Sequence, residues 1–147
     1  MYSNKISNTR HMSMTLSDGR LLCWYESGPK QGFPVIFCTG AGMSGTLGFG
    51  IDRLDELNIR LITPERAGLG QSTFDEHKSL QRFAQDIKEL LNAQKLPSFS
   101  VIGFSQGAVF AMALARYASP VSLSLVSGQD QFEFPAIRAQ LKQDVIN

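Results

Sequence analysis

"SVIGFSQGAVFAMALA", Ser100 to Ala115, decides how the rest of the chain is read. Its opening residues Val101 and Ile102 are apolar and β-branched, and from Ala108 it is apolar nearly all round, so a buried strand runs into a helix packed between layers. Between them stands Gly103-Phe104-Ser105-Gln106-Gly107, the pattern G-x-S-x-G. A strand-to-helix turn this sharp forces its middle residue into an unfavourable backbone conformation that thrusts the side chain clear of the sheet. The residues two before and two after must be small, because strand and helix nearly collide there. Gly103 and Gly107 meet that demand and make Ser105 a candidate nucleophile. Backbone N–H groups at the helix start can stabilise an oxyanion beside it.

Working outward, Met12 to Ser27 reads as two extended runs about Asp18-Gly19, a pair suited to a hairpin turn. "PVIFCT" is a short buried strand leading into the glycine-rich "GAGMSG", after which Leu47, Ile51, Leu54 and Leu57 recur at helical spacing. Ile59 to Thr63 is the next strand and opens into "PERAGLGQST". From Ser79 the positions Leu80, Phe83, Ala84, Ile87, Leu90 and Leu91 mark one stripe of an amphipathic helix that Pro97 cannot continue. A helix over Ala108 to Ala118 follows the serine, then a strand over Val121 to Val126, and the tail turns helical after Pro135. A hairpin followed by strand and helix alternating three times predicts an α/β fold: a mostly parallel sheet with helices on both faces and an antiparallel start. Chemistry in such sheets lies at the carboxyl ends of the strands, where all three glycine-bearing loops fall.

Composition narrows the classes. The chain has 147 residues, 43% hydrophobic and 18% charged, with a net charge of +1, which suits one globular unit and gives no electrostatic case for nucleic acid or a membrane surface. No apolar run approaches a membrane span and the first ten residues lack the apolar core of a secretory signal, so the expected location is cytoplasmic. Cys23 and Cys38 fall in strand-like runs and are expected to be buried free thiols; neither has a metal-ligand partner at usable spacing, and no metal site is expected. Gly40, Gly42 and Gly45 spell G-x-G-x-x-G, with Glu65 placed where an acid would hold a ribose hydroxyl, so dinucleotide binding is an alternative. It leaves the serine turn unexplained, and that fold opens directly on its fingerprint strand rather than on a hairpin.

Taken together the three loops resemble those of the α/β-hydrolase superfamily, from Met12 to Val126. The resemblance implies an oxyanion hole built from backbone, with Ala41 or Gly42 as one N–H donor and Gln106, after the nucleophile, as the other. Thr39-Gly40 stands where the family has His-Gly, and Glu65 to Ser72, "ERAGLGQS", matches a motif like Asp-Arg-Pro-Gly-x-Gly-x-Ser. Asp86 falls where many members carry an acid, and a solvated helix face explains it equally well.

The family's triad runs Ser, acid, His, yet the two histidines here, His11 and His77, both precede Ser105. Residues 1–130 resemble the amino-terminal part of the hydrolase core, lacking its last strands, and residues 131–147 the start of a helical cap. Roughly a hundred residues of a typical domain would follow. Asp130 occupies a region where some members place the triad acid; His77 is expected on the catalytic side of the sheet but at its periphery, and His11 to be structural or solvated. The resemblance therefore implies a serine hydrolase on a small-molecule acyl substrate, without cofactor, whose base lies outside this chain. The alternative is a non-catalytic, truncated hydrolase-like binding or assembly protein. Its final strand would be an unpaired sheet edge through which chains could associate.

Overall fold

The structure is a computed structural model that describes residues 9–46, 50–131 and 133–141. Its strands are β1 (Arg10–Thr15), β2 (Leu21–Ser27), β3 (Phe33–Cys38), β4 (Ile59–Pro64), β5 (Ser100–Phe104) and β6 (Leu123–Val126). Its helices are α1 (Leu80–Ala93), α2 (Gly107–Ala118) and the single turn α3 (Pro135–Arg138). The strands form one sheet in the order β1-β2-β4-β3-β5-β6. β1 and β2 are the expected hairpin, turned at Gly19 with φ +85°, and β2 also pairs antiparallel with β4. β4, β3, β5 and β6 run parallel. From β3 the chain moves to β4 on one side, and β5 then returns to the other side of β3. The loops leaving β3 and β5 therefore diverge, and a crevice opens at their carboxyl ends.

Alternation along the strands divides the sheet into two faces. Leu22, Trp24, Ile36, Ile62 and Val101 pack against Phe83, Ile87 and Leu90 of α1 and Ala111 and Leu114 of α2. Val35, Phe37 and Leu61 turn the other way and meet Leu54. Helix α1 starts where the Arg82 N–H donates to Ser79 Oγ at 3.1 Å, satisfying one orphan donor of its first turn. It ends as Lys95 adopts φ +55° and the Leu96 N–H reaches back to the Leu91 carbonyl at 2.8 Å, just ahead of Pro97.

Three details depart from the sequence reading. The stripe Ile51, Leu54 and Leu57 gives one 3-10 turn, Ile51–Arg53, instead of a full helix, and Leu47 lies outside the described residues. Gly50 enters that segment at φ +68° and Asn58 ends it at φ +51°, so left-handed residues bracket it; Leu54 is buried and Ile51 packs partly buried beside it. Helix α2 is not enclosed all round: Val109, Met112 and Tyr117 are exposed on the side away from the sheet. Asp86 is no solvated helix residue but is buried, gripped by Arg20 at 2.6 and 2.9 Å. Cys23 and Cys38 are buried free thiols, as expected, and burial pushes the Cys38 thiol up to about 12. Among the described residues no helix is long and apolar enough to cross a membrane.

Candidate active site

Ser105 occupies the turn between β5 and α2 with φ +52°, a left-handed backbone that a residue with a side chain rarely adopts. Both flanking glycines are required by contact. A Cβ on Gly107 would run into the Cys38 carbonyl oxygen, and one on Gly103 would lie 2.7 Å from Ala108 Cα and from Ala111 Cβ. The turn is pinned from both sides. The Ser105 N–H donates to the Val126 carbonyl of β6 at 2.9 Å, and the Ser105 carbonyl accepts from the Ala108 N–H at 3.0 Å and the Gln129 N–H at 3.3 Å. Gln106 is exposed at the start of α2, where backbone N–H groups have no intrahelical acceptor.

The loop after β3 lies against this turn: a Cβ on Gly40 would sit 3.2 Å from Ser105 Cβ. Ala41 and Gly42 follow on its exposed side, Gly42 with φ +66°. The base of the loop is held by a residue that the sequence reading passed over. Arg66 donates from Nη1 to the Thr39 carbonyl at 2.7 Å, and its guanidinium stacks over Phe110 of α2 at 4.5 Å. Burial lowers its pKa from the ordinary value. The only local hint is the Arg in "ERAGLGQS"; its target lies 27 residues earlier. A cavity of about 350 Å³ opens between the loop after β4 and the start of α1, lined by Arg66, Leu69, Lys78, Leu80, Phe83 and Phe110.

Glu65 is committed within its own loop. Its carboxylate accepts from the Gln71 N–H at 3.1 Å and from His11, and a Cβ on Gly70 would collide with it. The third glycine loop therefore folds around Glu65 rather than presenting it to a ribose. With a single 3-10 turn in place of a helix after "GAGMSG", the described residues also lack the helix N-terminus that would receive a pyrophosphate. Dinucleotide binding loses Glu65 as its ribose acid.

Neither histidine reaches the serine. His11 Nε2 lies 3.3 Å from Glu65 Oε2 and its ring rests on Tyr25, centroids 4.5 Å apart. His77 is exposed, its backbone N–H donating to Asp75 Oδ1 at 3.0 Å. Asp130 is exposed beyond β6, next to Gln129, and forms no ion pair among the described residues. The structure thus brings Gly40 against Ser105, with Gln106 next to it at the start of α2 and Ala41 and Gly42 following Gly40, and leaves His11, His77 and Asp130 unconnected to Ser105 by any hydrogen bond among the described residues.

A serine on a strained strand-to-helix turn, at the point where the order of an open parallel sheet reverses, is the architecture of the α/β-hydrolase fold, here over part of its length. No family model matches the chain. It is 29% identical over 109 residues to the proline iminopeptidase of Arabidopsis thaliana, covering 71% of this chain and 28% of that one. It superposes on an esterase from Exiguobacterium antarcticum with a TM-score of 0.68 at 23% identity, over 80% of this chain and 45% of that chain. The thioesterase domain from the curacin biosynthetic pathway gives a TM-score of 0.70 at 21% identity, over 90% and 51%. The chain therefore spans about a quarter of its curated relative and about half of these solved structures.

Proposed function

We propose that the protein is a serine hydrolase acting on an ester, thioester, amide or related acyl bond, with Ser105 as nucleophile. The observation that carries this reading is the left-handed backbone of Ser105 between two glycines that admit no side chain. The names of its similar proteins, an esterase, a thioesterase domain and an iminopeptidase, support hydrolysis as the class of reaction. In the proposed mechanism Ser105 Oγ attacks the carbonyl carbon and gives its proton to a histidine. The N–H groups of Gln106 and of Ala41 or Gly42 hold the oxyanion. The tetrahedral adduct collapses to an acyl-enzyme and expels the alcohol, thiol or amine, which takes that proton; water then repeats the sequence to release the acid. Arg66 acts as a positioning residue, fixing the Thr39 carbonyl so that the next N–H groups face Ser105. The histidine is contributed from outside these 147 residues, and Asp130 remains the candidate acid within them.

The test is a fluorophosphonate probe applied to the protein as produced in its native cells, with intact mass read in parallel. Labelling at Ser105, lost in Ser105→Ala, on a species well above 16.2 kDa is the expected result. An unlabelled species of 16.2 kDa would overturn it in favour of the second reading, a non-catalytic binding or assembly protein. That reading is favoured by one observation, the exposure of every residue of β6.

A further inference from the structure

The sheet places three metal-binding side chains side by side that are scattered in the sequence. Cys23 lies on β2, and the Glu65 N–H, just past the end of β4, donates to the Cys23 carbonyl at 2.9 Å. On its other flank β1 pairs His11 with Tyr25 and Ser13 with Cys23, so His11 is the diagonal neighbour of Cys23. Because side chains alternate along a strand, His11, Cys23 and Glu65 share the face opposite to Trp24. Their donor atoms, one imidazole nitrogen, one sulfur and one carboxylate oxygen, all lie within 4.8 Å of one another.

We propose that His11, Cys23 and Glu65 form a binding site for a borderline-soft divalent metal ion, zinc in the first place. A tetrahedral zinc ion takes Cys sulfur at about 2.3 Å and His nitrogen or carboxylate oxygen at about 2.0–2.2 Å, which sets the donors roughly 3.3–3.6 Å apart. His11 Nε2 and Glu65 Oε2, at 3.3 Å, already have that spacing. The thiolate selects against magnesium and calcium, which take oxygen ligands. Each ligand is held by a second contact, as metal sites require. The His11 ring lies on Tyr25, and Glu65 is fixed by the Gln71 N–H. The Cys23 N–H donates to Ser72 Oγ at 2.9 Å, and that hydroxyl donates to the Glu65 carbonyl at 2.7 Å. The Cys23 side is sealed while the His11 side chain is 29% exposed, which gives an ion its entry and leaves the fourth position to water. Binding releases the thiol proton to solvent as sulfur joins the metal. A bound ion would brace the loop whose next residue, Arg66, holds Thr39. No residue assigned to the hydrolase reaction is a ligand, so this site stands or falls independently of that reading.

The experiment is a cobalt(II) titration of the chelator-treated chain, followed by absorbance, with zinc then added as competitor. One equivalent should produce a thiolate-to-cobalt charge-transfer band and the intense visible bands of a four-coordinate ion, and zinc should abolish both. Cys23→Ser should remove the charge-transfer band, and His11→Ala and Glu65→Gln should each weaken binding about a hundredfold, ligand losses being at least as costly as second-shell ones. His11 is exposed and its loss leaves the core intact, so His11→Ala decides the matter even if Cys23→Ser fails to fold. No charge-transfer band in the parent chain, or one that survives His11→Ala unchanged and disappears in Cys38→Ser, overturns the site.

Discussion

The two faces of the sheet have very different packing. On the α1 and α2 side Trp24, Ile36, Ile62, Ile87, Leu90, Val101 and Leu114 are all essentially inaccessible to water. Glu26 on that side, 2% exposed, accepts from Trp24 Nε1 at 2.8 Å and from Arg60 at 2.7 and 3.1 Å, and Arg60 also reaches Gln94 at the C-cap of α1. On the other side Phe37, Leu61, Ile102, Phe104 and Val126 line an open apolar cavity of about 300 Å³, next to an edge strand whose Leu123, Leu125 and Val126 are all exposed. One face has a finished core; the other has a smaller one, in which Val35, Phe37, Leu54 and Leu61 are buried beside that apolar opening. Apolar area removed from water contributes about 25 cal/mol per Å², so the stability of this chain is concentrated on the α1 and α2 face.

The largest expected effect tests that asymmetry directly. Ile87→Ala, at a site with no exposure, should cost about 2–5 kcal/mol through lost burial and an unfilled cavity, while Leu125→Ala, 47% exposed, should cost under about 1 kcal/mol. Chemical denaturation of the two variants against the parent measures the difference; equal losses would mean that Leu125 is buried in solution.

Next in size is the buried ion pair that closes the finished face. Burial pushes the Glu26 carboxyl up, but hydrogen bonds from Arg60, Trp24 and Arg10 outweigh it and hold the pKa below the ordinary 4.5. An acid depressed in the folded state contributes stability that is fully present above about 4.5 and is lost as pH falls through the folded value, since the unfolded chain binds the proton first. The melting temperature should therefore fall as pH drops below about 4.5, and that slope should be shallower in Glu26→Gln. Removing the charge leaves Arg60 unpaired and should itself cost about 3 kcal/mol at neutral pH. A pH profile identical in the two proteins would show that Glu26 carries none of the acid sensitivity.

What could be read from the sequence follows the same division. The strands, the N-cap of α1 at Ser79 and the turn at Ser105 are local: each is a pattern of neighbouring residue types with a steric or hydrogen-bonding cause. The insertion of β4 between β2 and β3 is not local, nor are the pairs Arg20 with Asp86, 66 residues apart, and Glu26 with Arg60, 34 apart. Asp86 could not be told from a solvated helix residue because its partner is on the hairpin. Arg66 was overlooked for the same reason, and so was the neighbourhood of Cys23, whose flanking strands place His11 and Glu65 beside it. The helix expected after β3 is the converse case, an apolar period that left-handed Gly50 and Asn58 cut to one turn.

A smaller effect, of opposite sign, lies at the junction of the two faces. Ser105 keeps φ +52° at a cost that glycine would not bear, so Ser105→Gly should be neutral or stabilising by up to about 1 kcal/mol, even though it removes the proposed nucleophile. Stability and probe labelling measured on the same variant separate strain kept for function from a turn held by packing alone. A clear loss of stability would mean that the hydroxyl has a structural role.

The smallest change in folding stability is expected at the open edge, where the change in association should be largest. Among the described residues β6 pairs with no strand but β5, so its outer edge can accept another strand, and its exposed Leu123 and Leu125 favour such pairing. A lysine at position 125 is a standard way to block edge-to-edge pairing, because its charge would have to be buried in any strand laid alongside. Leu125→Lys should change the folding free energy by no more than about 0.5 kcal/mol. It should also reduce self-association measured by light scattering as concentration rises. If the parent chain remains monomeric and the lysine changes nothing, the edge is protected by its own geometry. If the parent associates and the lysine abolishes it, β6 and the apolar opening beside it are the place where a further chain segment or a second copy completes the sheet.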